Sequence, residues 1–298
     1  MSTTTWSLAQ YVTDTDTDAG VAIHADDTIL APPPPVAGHT LIDMLRDWPR
    51  WADLLCDLDI DALEPIRGAE LVAPLTYPNK VVCAGVNYYD HAEEMGTARP
   101  DPDAEPFFFL KSPTTTIIGP NSDVPISTRP GAQVDWEAEL GVVIGRRCAA
   151  ADDRTAAEAI AGYLVANDIS DRGAFRRTGS VFPAFDWDWV RHKNQDGFCP
   201  IGPGMVPAWL VPDPQALKIR LDVNGVVKQD SSTAQMVTGV HRLVAAASRL
   251  MTLEPGDIVL TGTPAGVGMP RQDFLRIDDI VTVEIEGLSR ISNRIVGK

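Results

Sequence analysis

From Lys80 to the C-terminus, glycine and proline turns divide the chain into apolar runs of only four to seven residues. Runs of this length between turn residues are typical of β-strands, because helices are usually longer. Only two stretches have helical spacing, one at about 153–160 and one that begins near Thr238. Many strands with few helices exclude a regular βαβ alternation and predict a mainly β, α+β fold. The predicted strands are 81–85, 107–110, 115–118, 140–144, 163–169, 217–223, 258–261 and 280–285.

The first 75 residues have a different pattern. A proline run at 32–35 forms a stiff, extended spacer. Apolar residues then recur at helical spacing between 41 and 48, and Thr40 stands where an N-cap is expected. We therefore expect a small N-terminal α/β domain over 1–75, followed by a larger domain over 76–298.

Composition excludes several classes of protein. The chain has 25 Lys and Arg against 41 Asp and Glu, a net charge of −16, which argues against a nucleic-acid partner because phosphate binding needs clustered bases. No apolar run approaches the length of a membrane helix, so no membrane partner is expected. The chain starts without the basic and apolar segments of a signal peptide, and its four cysteines form no close pair. We therefore expect a cytoplasmic protein.

Acidic residues recur in and after two predicted strands. Alternation in an extended segment puts Asp135, Glu137 and Glu139 on one face, and Asp168 follows a second apolar run. The alternatives are a solvated strand face and an ordinary polar strand end. Glu137, Glu139 and Asp168 together would form an all-oxygen site, which suits Mg²⁺, Mn²⁺ or Ca²⁺ better than zinc. Three carboxylates around one divalent ion leave a negative charge, so a nearby lysine is expected.

A histidine and a glutamate follow the predicted strand at 81–85. His91 and Glu94 are three residues apart, so one helical turn would let them form a hydrogen bond. A histidine oriented by a carboxylate can act as a general base near neutral pH. The alternative is an ordinary contact in a surface turn. The segment 96–106, rich in proline and aspartate, is consistent with a mobile lid or with an exposed loop.

Seven short motifs, in order, resemble those of the fumarylacetoacetate hydrolase family over about residues 78–298. Each motif is short, but their common order is specific. They are Gly85-x-Asn87-Tyr88-x-x-His91-x-x-Glu94, Asp135-x-Glu137-x-Glu139-Leu140-Gly141, Asn167-Asp168-Ile169-Ser170, Lys193-x-x-Asp196, Asn224-Gly225, Leu253-Glu254-Pro255-Gly256-Asp257 and Thr261-Gly262-Thr263-Pro264-x-Gly266-Val267-Gly268.

The resemblance implies a mixed β-roll catalytic domain that binds Mg²⁺ or Mn²⁺ and forms a homodimer. It implies the following roles for residues of this chain: Glu137, Glu139 and Asp168 as metal ligands, His91 and Glu94 as the pair that activates water, Lys193 as the group that stabilises negative charge, and Arg172 and Thr263 as contacts to substrate oxygens.

The activity that the resemblance favours is divalent-metal-dependent hydrolysis of a C–C bond in a 1,3-dicarbonyl keto acid of the acylpyruvate or fumarylpyruvate type, with a role in aromatic catabolism. The alternative is a metal-dependent decarboxylase or isomerase of a 2-keto acid, of the oxaloacetate or 2-hydroxy-diene-dioate type. A noncatalytic keto-acid-binding protein is a third hypothesis. The chain departs from the family pattern at Ser170-Asp171-Arg172-Gly173, at Lys193-Asn194-Gln195-Asp196 and in the aromatic stretch 182–189. These departures bear on the identity of the substrate.

Overall fold

The computed structural model describes residues 5–298. Its strands are β1 (Ser7–Thr13), β2 (Asp16–Ala25), β3 (Thr28–Leu30), β4 (Ala69–Val72), β5 (Val81–Gly85), β6 (Phe107–Lys111), β7 (Ile117–Ile118), β8 (Val124–Ile126), β9 (Val134–Asp135), β10 (Ala138–Ile144), β11 (Ile160–Asn167), β12 (Ser170–Asp171), β13 (Cys199–Pro207), β14 (Lys218–Val223), β15 (Val226–Ser232), β16 (Ile258–Leu260), β17 (Ile280–Ile285) and β18 (Ser289–Gly297). Its helices are α1 (Leu41–Leu45), α2 (Trp48–Leu55), α3 (Tyr89–Glu94), α4 (Asp153–Ala159), α5 (Arg172–Phe175), α6 (Trp189–Lys193) and α7 (Val240–Leu250).

Two mixed sheets dominate the fold. The larger has 11 strands in the order β3-β2-β1-β13-β11-β10-β16-β5-β6, with β4 beside β1 and β7 beside β13. The smaller has five strands in the order β15-β14-β17-β18-β8. The short strands β9 and β12 pair separately. The mainly β, α+β class expected from the sequence is confirmed, as are the two helices expected near 153–160 and after Thr238.

The centre of the larger sheet is buried on both faces. Leu140 of β10 lies opposite Val165 of β11, and both pack in a core that includes α7 and the smaller sheet. Val143 and Leu164 point to the other face, where they pack with residues of α1 and α2 in a second core. Since successive residues of a strand face opposite sides, β10 and β11 hold the two cores together.

The N-terminal residues join the larger sheet directly. In β1, Leu8 pairs with Met205 of β13, so residues of the expected N-terminal domain share a sheet with the rest of the chain. The Thr40 side chain accepts a hydrogen bond from the Asp43 amide, which confirms the expected N-cap of α1. The division of the chain between residues 75 and 76 stays a prediction. No helix in residues 5–298 is both long and apolar enough to span a bilayer.

The acidic motifs lie at strand ends. The extended segment that carries Asp135, Glu137 and Glu139 is split into β9 and β10, with Trp136 and Glu137 between them. The run predicted to extend to residue 169 ends as β11 at Asn167, so Asp168 lies just beyond the strand. Because Ala138 pairs with Asn167, the adjacent Glu137 and Asp168 come together at the same end of the sheet.

Candidate active site

Three carboxylates meet where β10 begins and β11 ends. Glu137, Glu139 and Asp168 are all buried, and each offers one oxygen that lies within 4.8 Å of those of the other two. The backbone joins them too, because the Asp168 amide donates to the Glu137 carbonyl oxygen at 2.8 Å. The sequence-derived grouping of these three acids is therefore present in the structure as one compact cluster, which we call the acid triad.

Two buried lysines neutralise part of the acid triad. Lys193 Nζ donates to Glu137 Oε2 at 2.7 Å and to Asp168 Oδ2 at 2.6 Å. Lys111 Nζ donates to Asp168 Oδ1 at 2.5 Å and to the Ile169 carbonyl oxygen at 3.1 Å. Burial disfavours the charged form of Lys193, but Asp168 and Glu137 outweigh that effect and raise its pKa. Lys193 was expected near the triad, whereas Lys111 was missed.

Glu139 is the member of the triad that lacks a cation of its own. It accepts a hydrogen bond from the Gly262 amide at 2.7 Å, but within residues 5–298 no lysine or arginine forms a salt bridge with it. Burial, together with the charges of Asp168 and Glu137, raises the pKa of Glu139 well above its usual value. A divalent cation would remove this repulsion, and three carboxylate oxygens are ligands that Mg²⁺ and Mn²⁺ prefer. The donor set therefore fits a divalent ion.

Arg172 connects the triad to a neighbouring loop. Its Nη2 donates to Glu137 Oε1 at 2.7 Å, and its Nε donates to Asp135 Oδ2 at 3.0 Å. Asp135 also accepts from the amides of Gly268 and Met269, at 2.7 and 3.1 Å. Asp135 thus anchors the loop at residues 268–269 and does not join the acid triad.

His91 and Glu94 form the expected pair on α3. His91 Nδ1 lies 3.4 Å from Glu94 Oε2, and the same oxygen accepts from the Gly266 amide at 2.9 Å. Burial disfavours ionisation of Glu94, but its hydrogen bonds with His91 and Gly266 outweigh this effect and lower its pKa. Glu94 is therefore a carboxylate that can orient the imidazole ring of His91.

A cavity of about 110 Å³ lies over these groups. His91, Glu137, Glu139 and Lys193 line it, so the candidate base and two of the triad acids face the same space. Arg172 and Thr263, expected to contact substrate, also line the cavity. The Thr263 hydroxyl oxygen accepts from the Gln229 side-chain amide at 2.8 Å. The structure thus brings both expected substrate contacts to the cavity.

Further buried polar residues hold this arrangement in place, and sequence reasoning gave them no role. Asn87 donates to the carbonyl oxygens of Thr238 and Thr261, at 3.0 and 2.9 Å. The Asn167 side chain accepts from the Glu137 amide at 3.0 Å. Both asparagines lie inside the family-like motifs of the sequence, and this position was the signal that could have indicated a structural role for them.

The segment 96–106 lies at the surface. Asp103 forms an ion pair with Arg242 of α7 at 3.2 Å, and Glu105 lies 3.5 Å from Arg249 of the same helix. Among the described residues that line the cavity, none belongs to this segment. Its role as a lid stays a prediction.

A profile of the fumarylacetoacetate hydrolase C-terminal domain matches residues 80–296. The chain belongs to the fumarylacetoacetate hydrolase family. A Xenopus laevis relative named as a mitochondrial oxaloacetate tautomerase is 41% identical over 229 residues, which are 76% of this chain and 68% of that protein.

Two solved structures of the fumarylacetoacetate hydrolase family fold extend the comparison. A 5-carboxymethyl-2-hydroxymuconate delta-isomerase from Mycobacterium smegmatis aligns with a TM-score of 0.73 and 34% identity, covering 98% of this chain and 99% of that one. A maleylpyruvate hydrolase from Sphingobium sp. SYK-6, in complex with manganese(II) and pyruvate, aligns with a TM-score of 0.74 and 28% identity. That alignment covers 98% of this chain and 100% of the hydrolase. These relatives are enzymes, and a metal-dependent enzyme is what the acid triad and its cavity indicate here.

Proposed function

We propose that this protein is a divalent-metal-dependent isomerase of a 2-keto acid, of the oxaloacetate or 2-hydroxy-diene-dioate type, that moves a proton at the carbon next to the keto group. The observation that carries the proposal is that His91, which Glu94 contacts, faces the same small cavity as Glu137 and Glu139 of the acid triad. The relatives named as a tautomerase and an isomerase support it. They favour proton transfer over the C–C hydrolysis that the sequence first suggested, and decarboxylation would use the same groups.

The metal would be held by Glu137, Glu139 and Asp168. Mg²⁺ and Mn²⁺ both suit these ligands, and the manganese in the maleylpyruvate hydrolase structure supports binding of this class of ion. A divalent ion supplies Lewis-acid polarisation of a carbonyl oxygen, which acidifies the neighbouring C–H bond.

The protein's own groups would carry out the proton transfer. His91 would take the proton from the carbon next to the keto group and return it at a second position, while Glu94 orients the ring and stabilises its charged form. Lys193 would donate a hydrogen bond to the oxygen on which negative charge develops. Arg172 and Thr263 would contact the oxygens at the carboxylate end of the substrate. No water is consumed in this sequence of steps.

Hydrolysis of a C–C bond in an acylpyruvate or fumarylpyruvate type of acid is the second candidate. The similarity to the maleylpyruvate hydrolase supports it. In this reaction His91 would deprotonate a water molecule, which would attack the carbonyl group farther from the carboxylate. An oxygen label distinguishes the two reactions, because only hydrolysis places a solvent oxygen in a carboxylate product.

The test measures the enol absorbance of oxaloacetate with purified protein and Mn²⁺ or Mg²⁺, for the wild type, His91→Ala and His241→Ala. We expect His91→Ala to lose at least about 100-fold in kcat, the usual worth of a general base. The exposed His241 serves as the matched control and should retain wild-type activity. Full activity of His91→Ala would contradict the proposed base. Acylpyruvates incubated in ¹⁸O-labelled water would reveal hydrolysis by a labelled carboxylate.

The biological setting expected from the sequence belongs to the same proposal. We propose a homodimer in the cytoplasm, which sedimentation and fractionation would test. The Xenopus laevis relative is named as mitochondrial, so fractionation should include that compartment. A role in aromatic catabolism also stays a prediction.

A further inference from the structure

Residues 175–188 form a hairpin that has no role in the proposed proton transfer. The Asp188 amide donates to the Phe175 carbonyl oxygen at 2.8 Å, and the Arg177 amide donates to the Asp186 carbonyl oxygen at 2.8 Å. Phe175 lines the cavity, so the base of the hairpin lies at the cavity wall. We call this segment the aromatic hairpin.

Trp189, which follows the aromatic hairpin, joins the cavity to a groove along the hairpin. Trp189 lines the cavity together with the acids, and it also lines a neighbouring groove of about 350 Å³ with Phe185, Trp187 and Arg177. Phe185 and Trp187 are each more than half exposed, and neighbouring exposed aromatic side chains commonly mark a binding surface. A substrate whose keto acid occupies the cavity could therefore extend past Trp189 into the groove.

Two arginines of the aromatic hairpin supply positive charge at the groove. Arg177 lines the groove, and its side chain is half exposed. Its Nη1 lies 3.8 Å from Asp188 Oδ2, which is beyond hydrogen-bond distance. The exposed Arg176 lies over the Trp187 ring, 5.6 Å from its centroid, and no acid of residues 5–298 forms an ion pair with it. The groove thus offers a cation to an anionic group of the substrate.

We infer that Arg177 receives the second carboxylate of the substrate, and thereby selects a dioate whose carboxylates are separated by a flat, unsaturated chain. The inference rests on the proposed function, which places the keto-acid end at the acid triad and includes 2-hydroxy-diene-dioates. The chain would lie against Trp189, and the Arg177 guanidinium would form two parallel hydrogen bonds with the distal carboxylate. The hairpin contains most of the aromatic stretch at which this chain departs from the family pattern.

The test compares two substrates of equal chain length with the Mn²⁺-loaded protein. They are 2-hydroxyhepta-2,4-diene-1,7-dioate and 2-hydroxyhepta-2,4-dienoate, which ends in a methyl group in place of the distal carboxylate. Conversion to the keto form moves one proton from the hydroxyl group to a chain carbon and removes the diene absorbance. The quantity measured is the ratio of the two kcat/KM values, because a loss of folded protein lowers both and cancels.

We expect the wild type to favour the dioate by at least about tenfold, and Arg177→Gln to lower the ratio about tenfold, the scale of one hydrogen bond to a charged group. Arg191→Gln is the matched control, since Arg191 is exposed, carries the same charge and lines neither space. It should leave the ratio within about twofold. A ratio that Arg177→Gln leaves unchanged, or that Arg191→Gln lowers equally, would overturn the inference.

Removal of the acid beside Arg177 gives a second arm. Asp188 caps the N-terminus of α6, because its Oδ1 accepts from the Arg191 amide at 2.9 Å, and asparagine preserves such a cap. Asp188→Asn should therefore leave Arg177 without a competing acid and raise the ratio about threefold, the scale of an exposed ion pair. An unchanged or lower ratio counts against the inference.

Oxaloacetate separates the inference from the proposed function. Its second carboxylate is attached to the reacting carbon, so Arg177→Gln should leave its kcat/KM within about twofold. Turnover of oxaloacetate but not of the dioate would overturn the inference while the proposed function stands.

Binding tests Arg177 if none of these acids is interconverted, in which case the proposed function fails. The probe is 2-oxoheptanedioate, titrated calorimetrically into the Mn²⁺-loaded protein. A Kd about tenfold weaker in Arg177→Gln than in the wild type supports the inference. Equal Kd values overturn it.

Discussion

Replacing Lys111 by methionine tests how charge is balanced under the acid triad. Lys111 Nζ lies 2.5 Å from Asp168 Oδ1, and both side chains are fully buried. At an effective dielectric constant of 20, this attraction is about 7 kcal/mol, and most of it offsets the desolvation of the two groups. Breaking a buried pair usually costs about 3–5 kcal/mol. Because Asp168 keeps its contact with Lys193, we expect Lys111→Met to lower the free energy of unfolding of the metal-free protein by about 3 kcal/mol.

The response to metal shows whether Lys111 acts on the triad specifically. Removing one positive charge beside a cation site should strengthen Mn²⁺ binding. We expect Kd for Mn²⁺ to fall about tenfold, so that saturating Mn²⁺ stabilises Lys111→Met by about 1.4 kcal/mol more than it stabilises the wild type. Urea unfolding with EDTA and with excess Mn²⁺ measures both quantities.

Lys80→Met is the matched control for Lys111→Met. Lys80 Nζ lies 2.6 Å from the buried Asp257, but neither residue belongs to the acid triad. Its loss should destabilise the protein and leave the Mn²⁺ increment at the wild-type value. An equal or smaller Mn²⁺ increment in Lys111→Met than in the wild type would refute the charge-balance argument.

Two further predictions concern buried titratable groups. Burial, with Lys193 and Arg172, lowers the pKa of His192 to about 3, so the unfolded chain binds a proton below pH 6.5 that the folded chain does not. As the pH falls from 6.5 to 3, the free energy of unfolding should therefore decrease by up to about 1.4 kcal/mol per pH unit. Urea unfolding at pH 7, 6 and 5 measures this decrease. It should be shallower in His192→Asn than in the wild type, and unchanged in the control His241→Asn. Mn²⁺ at 100 times its Kd should raise the free energy of unfolding of the wild type by roughly 2.7 kcal/mol, and Glu139→Gln should lose nearly all of this stabilisation. If Mn²⁺ stabilises Glu139→Gln as much as the wild type, Glu139 is not a ligand.

The acid triad was predictable because its signals are local. Glu137 and Glu139 are two residues apart, so an extended chain puts them on one face. Asp168 directly follows an apolar run that is typical of a buried β-strand. Antiparallel pairing of Ala138 with Asn167 then brings the two segments together. Alternation did not predict the role of Asp135, because nothing local signals that the strand is interrupted at residues 136–137 or that Asp135 accepts from the distant Gly268 amide.

Lys111 was missed because its partner, Asp168, is distant in the sequence. It ends β6, where Phe107 and Leu110 are about half exposed, and a lysine on such a strand usually reaches water. Its burial depends on Asp168, which lies 57 residues further along the chain. The pairing of Leu8 with Met205 is also non-local, because the two residues are far apart in the chain. The first 75 residues alone therefore could not indicate that β1 joins the larger sheet.

The charges around the triad also limit the substrate. The three triad acids face two lysines, while Arg172 and Asp135 balance each other, so these side chains carry one net negative charge. A divalent ion would change this to one net positive charge, which a single substrate carboxylate neutralises. The charge balance at the triad therefore favours a substrate that binds the metal-loaded site through one carboxylate, the one next to the keto group.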